Sequence, residues 1–180
     1  RVQATILITM QIQKILMVLA HPDDEIIFGW PIFQDSSIKK ELIICSSDAH
    51  NPERQWCAHR KNVTEIICKE YNIPLTVIDF PSEFYRFETR QETMSRAQYE
   101  ILKTIKSKSF DAIFTHNIFG EYGHLDHKMI FDLMLRKMEC PLYYTDICLK
   151  SNWPSDDELS THIQNTLYSN KVKSCELDKS

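Results

Sequence analysis

The chain has 180 residues, of which 43% are hydrophobic and 26% are charged, and its formal net charge is −4. This length suits one domain with a sizeable core, and the composition is that of an ordinary globular protein. Because no dense run of lysine and arginine occurs, the sequence favours neither nucleic acid nor an anionic membrane surface as a partner.

The first nine residues are mildly apolar, but they are too few to cross a membrane, and Gln11, Gln13 and Lys14 follow them. No small-residue cleavage site of a secretory signal follows. We therefore interpret residues 1–9 as a non-native or disordered extension and residues 10–180 as a single domain. We expect no transmembrane segment and a cytoplasmic location, where the six cysteines, none in a CxxC pair, would be reduced thiols.

Apolar runs alternate with amphipathic stretches along the chain, and they predict five strands and the helices between them. Strands are expected at 13–20, 41–45, 75–78, 111–115 and 142–145. Helices are expected at 24–36, 53–71, 88–107, 126–138 and 155–173. The alternation predicts an α/β fold, a single-domain, Rossmann-like three-layer sandwich with a mainly parallel sheet.

Two helices carry more specific expectations. Pro31 removes a hydrogen-bond donor within 24–36, so this segment should be kinked or split in two. In the helix at 53–71, the larger apolar residues recur at helical spacing and should lie on roughly one face. These residues are Trp56, Val63, Ile66, Ile67 and Tyr71.

The chain lacks the glycine-rich motifs of several common α/β enzymes, and it has only three glycines. Neither GxGxxG after the first strand nor GxxxxGK[ST] is present, which removes the usual phosphate cradles for dinucleotides and nucleoside triphosphates. The GxSxG turn of α/β-hydrolases is also absent.

Ionisable residues crowd the end of the first strand, where residues 19–25 read Leu-Ala-His-Pro-Asp-Asp-Glu. In open α/β sheets, ligands bind at the carboxyl ends of the strands. The three-residue spacing of His21 and Asp24 lets both side chains point the same way, and His124 and His127 repeat it after the fourth strand. Two imidazoles and a carboxylate leave an open position for water, which is the pattern of catalytic zinc.

The remaining polar residues of the two motifs suit hydrolysis. Zinc lowers the pKa of its bound water to about 7 and polarises a carbonyl. Asp23 is a spare carboxylate that can take a proton, and His124 is a spare histidine for an oxyanion or a leaving group. Asp126 is placed to orient His124. Spacing alone leaves open which of Asp23 and Asp24 binds the metal.

The sequence Ala-His-Pro-Asp-Asp-Glu, with Gly-Glu-Tyr-Gly-His-Leu-Asp-His later, resembles the PIG-L/LmbE family over residues 13–146. Its members are zinc-dependent N-deacetylases that act on N-acetylglucosamine-type groups. The resemblance implies a metal held by His21, Asp24 and His127. It implies Asp23 as general base and His124, supported by Asp126, as oxyanion stabiliser or acid.

The resemblance also implies substrate contacts for Arg60 and, more weakly, for Asp79 at the end of the third strand. The expected reaction is removal of acetyl from an N-acetylated amino sugar in a small glycoconjugate, by attack of metal-bound water on the amide carbonyl. Hydrolysis of a non-sugar amide and a catalytically inactive binding module are the alternatives. Fe²⁺ could take the place of Zn²⁺, because geometry and availability also decide which metal is bound.

Overall fold

The protein is described by a computed structural model over residues 12–47, 49, 51, 53, 55–80, 90–146 and 172–174. Its strands are β1 Lys14–Leu19, β2 Lys39–Ser46, β3 Leu75–Phe80, β4 Ala112–Thr115, β5 Leu142–Tyr144 and β6 Val172–Ser174. Its helices are α1 Asp24–Ile27, α2 Trp30–Gln34, α3 Gln55–Glu70, α4 Arg90–Lys106, α5 Gly120–Gly123 and α6 Leu125–Lys137.

The strands form one sheet in the order β3-β2-β1-β4-β5-β6, and all neighbouring strands are parallel. The chain moves outward from β1 to β3 and then returns to the other side of β1. This reversal is the topological switch point at which α/β proteins bind ligands. The structure therefore confirms the α/β fold with a parallel sheet.

The end of the chain differs from the prediction. Residues 172–174 form β6, which pairs with β5, whereas the sequence predicted a helix that reached residue 173. The rest of that helix lies outside the described residues.

Two apolar cores cover the two faces of the sheet. The alternate β1 residues Leu16 and Val18 join the core beneath α4 and α6, while Ile15, Met17 and Leu19 join the core beneath α2 and α3. A central parallel strand buried on both faces needs an unbroken apolar sequence, which explains the run Ile15–Leu19.

The segment at 24–36 is split into two short helices, which was one of the two outcomes expected from Pro31. Pro31 lies in the first turn of α2, where its missing N–H costs nothing. Gly29 separates the helices at a crowded point: an added Cβ would lie 2.6 Å from Met17 Cε and 3.1 Å from the Glu25 carbonyl oxygen.

Helix α3 does not bury the face that its larger apolar side chains predicted. The exposed set comprises Trp56, Val63, Ile66 and Tyr71. The buried set comprises Cys57, Thr64 and Cys68. Ile67, also predicted for the apolar face, is partly buried against the core beneath α2 and α3, and the Thr64 hydroxyl donates to Glu25 of α1 at 2.8 Å. Small side chains and one polar contact thus lie on the side of α3 that packs against the rest of the fold.

In the described part of the chain, no helix combines the length and the apolar character needed to cross a membrane.

We predict that the same substitution has very different effects at two isoleucines. Ile44→Ala should destabilise the fold by about 2–5 kcal/mol, because Ile44 is fully buried. Ile66→Ala should change stability by less than about 0.5 kcal/mol, because Ile66 is 56% exposed on α3. Urea unfolding of both variants measures this, and a large loss in Ile66→Ala would contradict the orientation of α3.

Candidate metal centre

The centre lies where β1 and β4 end side by side. The two strands pair in parallel, with Met17 opposite Phe114. Just beyond this pair, the Thr115 hydroxyl donates to the Val18 carbonyl at 2.8 Å. The backbone N–H of Ala20 donates to Nε2 of His116 at 2.9 Å. These contacts bring the segment after β1 against the segment after β4.

Three buried ligand atoms form a nearly equilateral triangle at this edge. Oδ2 of Asp24 lies 3.5 Å from Nδ1 of His21 and 3.5 Å from Nε2 of His127. The two nitrogen atoms are 3.3 Å apart. Tetrahedral ligands about 2.0–2.1 Å from a zinc ion are about 3.3–3.4 Å from one another. The spacing therefore fits a single small divalent cation.

The hydrogen bonds behind the two imidazoles fix where their protons lie. Nε2 of His21 is 2.9 Å from Asp126 Oδ2, and Nδ1 of His127 is 2.7 Å from Glu121 Oε2. Because ionised carboxylates only accept hydrogen bonds, the facing nitrogens carry the protons. With each ring neutral, as binding of a cation requires, the other nitrogens present lone pairs toward the carboxylate of Asp24. Metal-binding histidines are held by acids in the same way.

The electrostatics of the centre favour a positive charge. Burial alone would lower the pKa of His21, but the carboxylates of Asp126 and Asp24 outweigh it and raise this pKa to about 9. Burial alone would raise the pKa of Asp24, yet the neighbouring imidazoles of His116, His21 and His127 hold it well below the usual range. The donor set thus suits a cation.

Asp23 does not belong to this triangle of atoms and contacts Arg60 instead. Its φ of 95° is left-handed, and its N–H donates to Glu25 Oε2 at 3.0 Å. Its carboxylate pairs with the guanidinium of Arg60, and its side chain is 38% exposed. Burial raises the pKa of Asp23 while Arg60 opposes that rise. A partly exposed carboxylate beside buried ligand atoms can accept a proton from solvent or substrate.

Helix α3 holds the Asp23 segment from the other side. Arg60 and Thr64 are one turn apart on this helix, and Thr64 donates to Glu25 at 2.8 Å. The Arg60 guanidinium also lies 5.1 Å from the centre of the Trp56 ring. Sequence reasoning gave no role to Glu25 or Thr64. The sequence did contain a signal for Glu25, because it is the fourth ionisable residue of the first motif.

His124 lies beside the imidazoles of both His21 and His127. Its ring centre is 4.7 Å from that of His21 and 4.6 Å from that of His127. Nδ1 of His124 accepts a hydrogen bond from the Asp126 backbone N–H at 3.2 Å, as the N-cap of α6. Burial, together with His21 and His127, lowers the pKa of His124 to about 4. The ring is therefore neutral at pH 7 and carries its proton on Nε2.

The structure corrects the expected partner of Asp126. We expected its carboxylate to orient His124, but it contacts Nε2 of His21, and only its backbone N–H reaches His124. The reason is the start of α6: His124 is the N-cap, so the N–H two residues later satisfies its ring nitrogen. The carboxylate then lies on the side that faces β1.

His116 and Glu121 also belong to the centre, although sequence reasoning assigned no role to either. His116 is fully buried and stacks on His127, with ring centres 3.7 Å apart. Glu121 contacts the Nδ1 atoms of both His116 and His127. The signals present in the sequence were the position of His116 at the end of the fourth strand and that of Glu121 within the second motif.

Arg60 and Asp79, the two expected substrate contacts, occupy different positions. Arg60 reaches the centre through Asp23. Asp79 lies on β3, and β2 separates that strand from β1. It accepts a hydrogen bond from the Ser47 hydroxyl and lines a groove of about 580 Å³ beside α3. The structure does not bring Asp79 to the triangle of ligand atoms.

Comparisons with known proteins agree with this architecture. The chain is 25% identical over 136 residues to an uncharacterised protein of Acanthamoeba polyphaga mimivirus, covering 66% of this chain and 55% of that one. It thus spans about half the length of this curated relative.

Two solved structures share the fold. Dbv21, described as the pseudoaglycone deacetylase of the antimicrobial reagent A40926, has a TM-score of 0.55 and 16% identity, over 86% of this chain and 79% of that one. A deacetylase triple mutant from the teicoplanin biosynthetic pathway has a TM-score of 0.55 and 15% identity, over 72% of this chain and 62% of that one.

A family model described as "PIG-L: GlcNAc-PI de-N-acetylase" matches residues 16–138, well over half of the chain. This protein therefore belongs to the PIG-L family.

Proposed function

We propose that the protein is a divalent-metal-dependent N-deacetylase that hydrolyses the acetamide of an N-acetylated amino sugar in a small glycoconjugate. The observation that carries the proposal is the triangle of lone-pair atoms from His21, Asp24 and His127, with sides of 3.3–3.5 Å. The partly exposed carboxylate of Asp23 lies next to it in the chain. Membership of a family described by de-N-acetylation supports this reaction.

The three ligand residues would hold Zn²⁺ or, with the same geometry, Fe²⁺. Such an ion lowers the pKa of a coordinated water and polarises a carbonyl oxygen. Two nitrogen atoms and one carboxylate oxygen suit these metals better than Mg²⁺, which prefers six oxygen ligands.

Asp23 acts as the general base in this proposal. Asp23 directly precedes Asp24 in the chain, and its carboxylate pairs with Arg60 and does not belong to the triangle. The Arg60 guanidinium favours the ionised form, which is the form that accepts a proton. In the reaction Asp23 takes a proton from the attacking water and passes it to the departing amine.

His124 stabilises the oxyanion by hydrogen bonding. Because Nδ1 accepts from Asp126 N–H, the Nε2–H remains as a donor. With a pKa of about 4 the ring stays neutral, so it donates a hydrogen bond to the carbonyl oxygen as negative charge develops there. The neutral state favours this role over that of a proton donor.

In this proposal Arg60 contacts the substrate, and the ring of Trp56 lies beside it. The guanidinium lies between Trp56 and the carboxylate of Asp23. From this position it can bind an oxygen of the substrate while it still orients the base. Asp79 would contact only a distant part of an extended conjugate, since it lies on β3.

We predict that the protein binds zinc tightly enough to be stabilised by it. At a free zinc concentration of 100 times the dissociation constant, the free energy of unfolding should rise by about 2.7 kcal/mol. Thermal unfolding of chelator-treated protein, with and without added zinc, measures the effect. Magnesium is the matched control and should give little stabilisation, because the site offers nitrogen ligands. Absence of bound divalent metal after zinc is supplied would favour the inactive binding module.

We predict that Asp23→Asn loses most of the deacetylase activity and retains the metal. Loss of a general base should lower kcat by about 10²–10⁴-fold. Acetate release from a panel of N-acetylglucosaminides measures kcat, and metal analysis measures occupancy. Asp132→Asn is the control, since Asp132 pairs with Arg136 on the exposed face of α6.

The same panel tests the substrate class. Simple acetamides without a sugar should be poor substrates, and equal turnover of both classes would point to a non-sugar amide. Undiminished acetate release by Asp23→Asn would exclude Asp23 as the base.

A further inference from the structure

Glu121 is a buried carboxylate at the point where three polar groups meet. Its exposed fraction is 1%. Oε2 lies 2.7 Å from Nδ1 of His127 and 3.2 Å from Nδ1 of His116. Oε1 accepts a hydrogen bond from the Asn117 backbone N–H at 3.0 Å. A carboxylate in such a place is costly to bury unless these partners satisfy it.

The backbone at Glu121 is also strained. Its φ of 56° and ψ of −62° lie close to the rare γ-turn conformation. Residues other than glycine adopt such backbone angles at a cost of about 1–3 kcal/mol, and strain of this kind clusters at functional sites. The N–H of Glu121 is tied to Asn117 Oδ1 at 3.1 Å. The turn therefore holds this carboxylate in an unfavourable conformation directly behind His127.

His116 determines how Glu121 is held. The Ala20 backbone N–H can only donate, so Nε2 of His116 accepts at 2.9 Å and the ring proton lies on Nδ1, which faces Glu121. The ring also stacks on His127 with an interplanar angle of 15°. His116 is thus in contact with the end of β1, with Glu121 and with His127, and its Nε2 lies 3.4 Å from Oδ2 of Asp24.

We propose that Glu121, held by His116, is a positioning residue for the metal centre: it keeps the proton of His127 on Nδ1 and so presents Nε2 to the ion. The inference rests on the proposed metal site and extends it to two residues outside the ligand set. The negative charge of Glu121 also makes Nε2 of His127 more basic, and so a stronger ligand for a metal ion. Without it, His127 could rotate or place its proton on the nitrogen that should bind metal.

The test is the affinity for zinc, measured without substrate by competition with a colorimetric chelator. Glu121→Gln keeps the size of the side chain and removes its charge. We expect zinc binding about 10–100-fold weaker than in the wild type, the usual effect of losing an acid behind a metal-binding histidine. Asp132→Asn on α6 is the matched control and should bind zinc like the wild type. Circular dichroism of each variant checks that it is folded.

The outcomes separate this inference from the proposed function. A wild-type protein that binds no divalent metal would overturn the proposed function and, with it, this inference. A wild type and a Glu121→Gln variant of equal zinc affinity would overturn the inference alone. Lower thermal stability with unchanged affinity would also overturn it, because the acid would then serve only the fold.

His116→Gln provides a second measurement if Glu121→Gln does not fold. It removes the ring stacked on His127 and leaves all three ligand residues in place. We expect zinc binding roughly 10-fold weaker, at the lower end of the range for such contacts. The absorption bands of Co²⁺ in the site should shift as well, because they report the ligand geometry. Unchanged affinity and unchanged bands would overturn the role of His116.

Discussion

The parallel pairing of β1 with β4 is the constraint on which the rest of the site depends. With Met17 opposite Phe114, the two strands end within one residue of each other, so the first motif and the second emerge side by side. The Thr115 hydroxyl and Nε2 of His116 then tie the two strand ends together. A slip of the pairing by one residue would turn every side chain of the strand to the other face of the sheet. Packing of the apolar core thus fixes the distance between the two motifs.

The strand pairing brings the two motifs together, and two buried acids then orient the histidines of the centre. Asp126 contacts the far nitrogen of His21 and Glu121 that of His127, so each imidazole turns its other nitrogen toward Asp24. In an apolar interior such a group of acids and imidazoles would be costly if any member lacked its partner. Its stability therefore depends on all members together, which accounts for the strained backbone that the protein tolerates at Glu121.

The sequence predicted the strands and the two motifs because apolar runs and short spacings are local signals. It failed where side-chain contacts cross between elements. The partner of Asp126 depends on which side of α6 faces β1, and the roles of His116 and Glu121 depend on the turn between β4 and α6. No periodicity encodes these contacts. Likewise β6 is a three-residue strand, too short to show a pattern of its own.

The orientation of α3 shows how polar contacts can offset apolar packing. Trp56, Val63 and Ile66 remain exposed and Ile67 is only partly buried, whereas Thr64 is buried against Glu25. One turn earlier, Arg60 pairs with Asp23. A rotation of the helix that buried Ile66 would separate both polar pairs and leave the carboxylate of Glu25 buried without its hydroxyl donor. That loss costs about 1–3 kcal/mol or more, comparable to the 1.5–3 kcal/mol gained by burying one isoleucine. Since the Arg60 pair is lost in addition, the observed orientation is favoured, and the position of the proposed base depends on it.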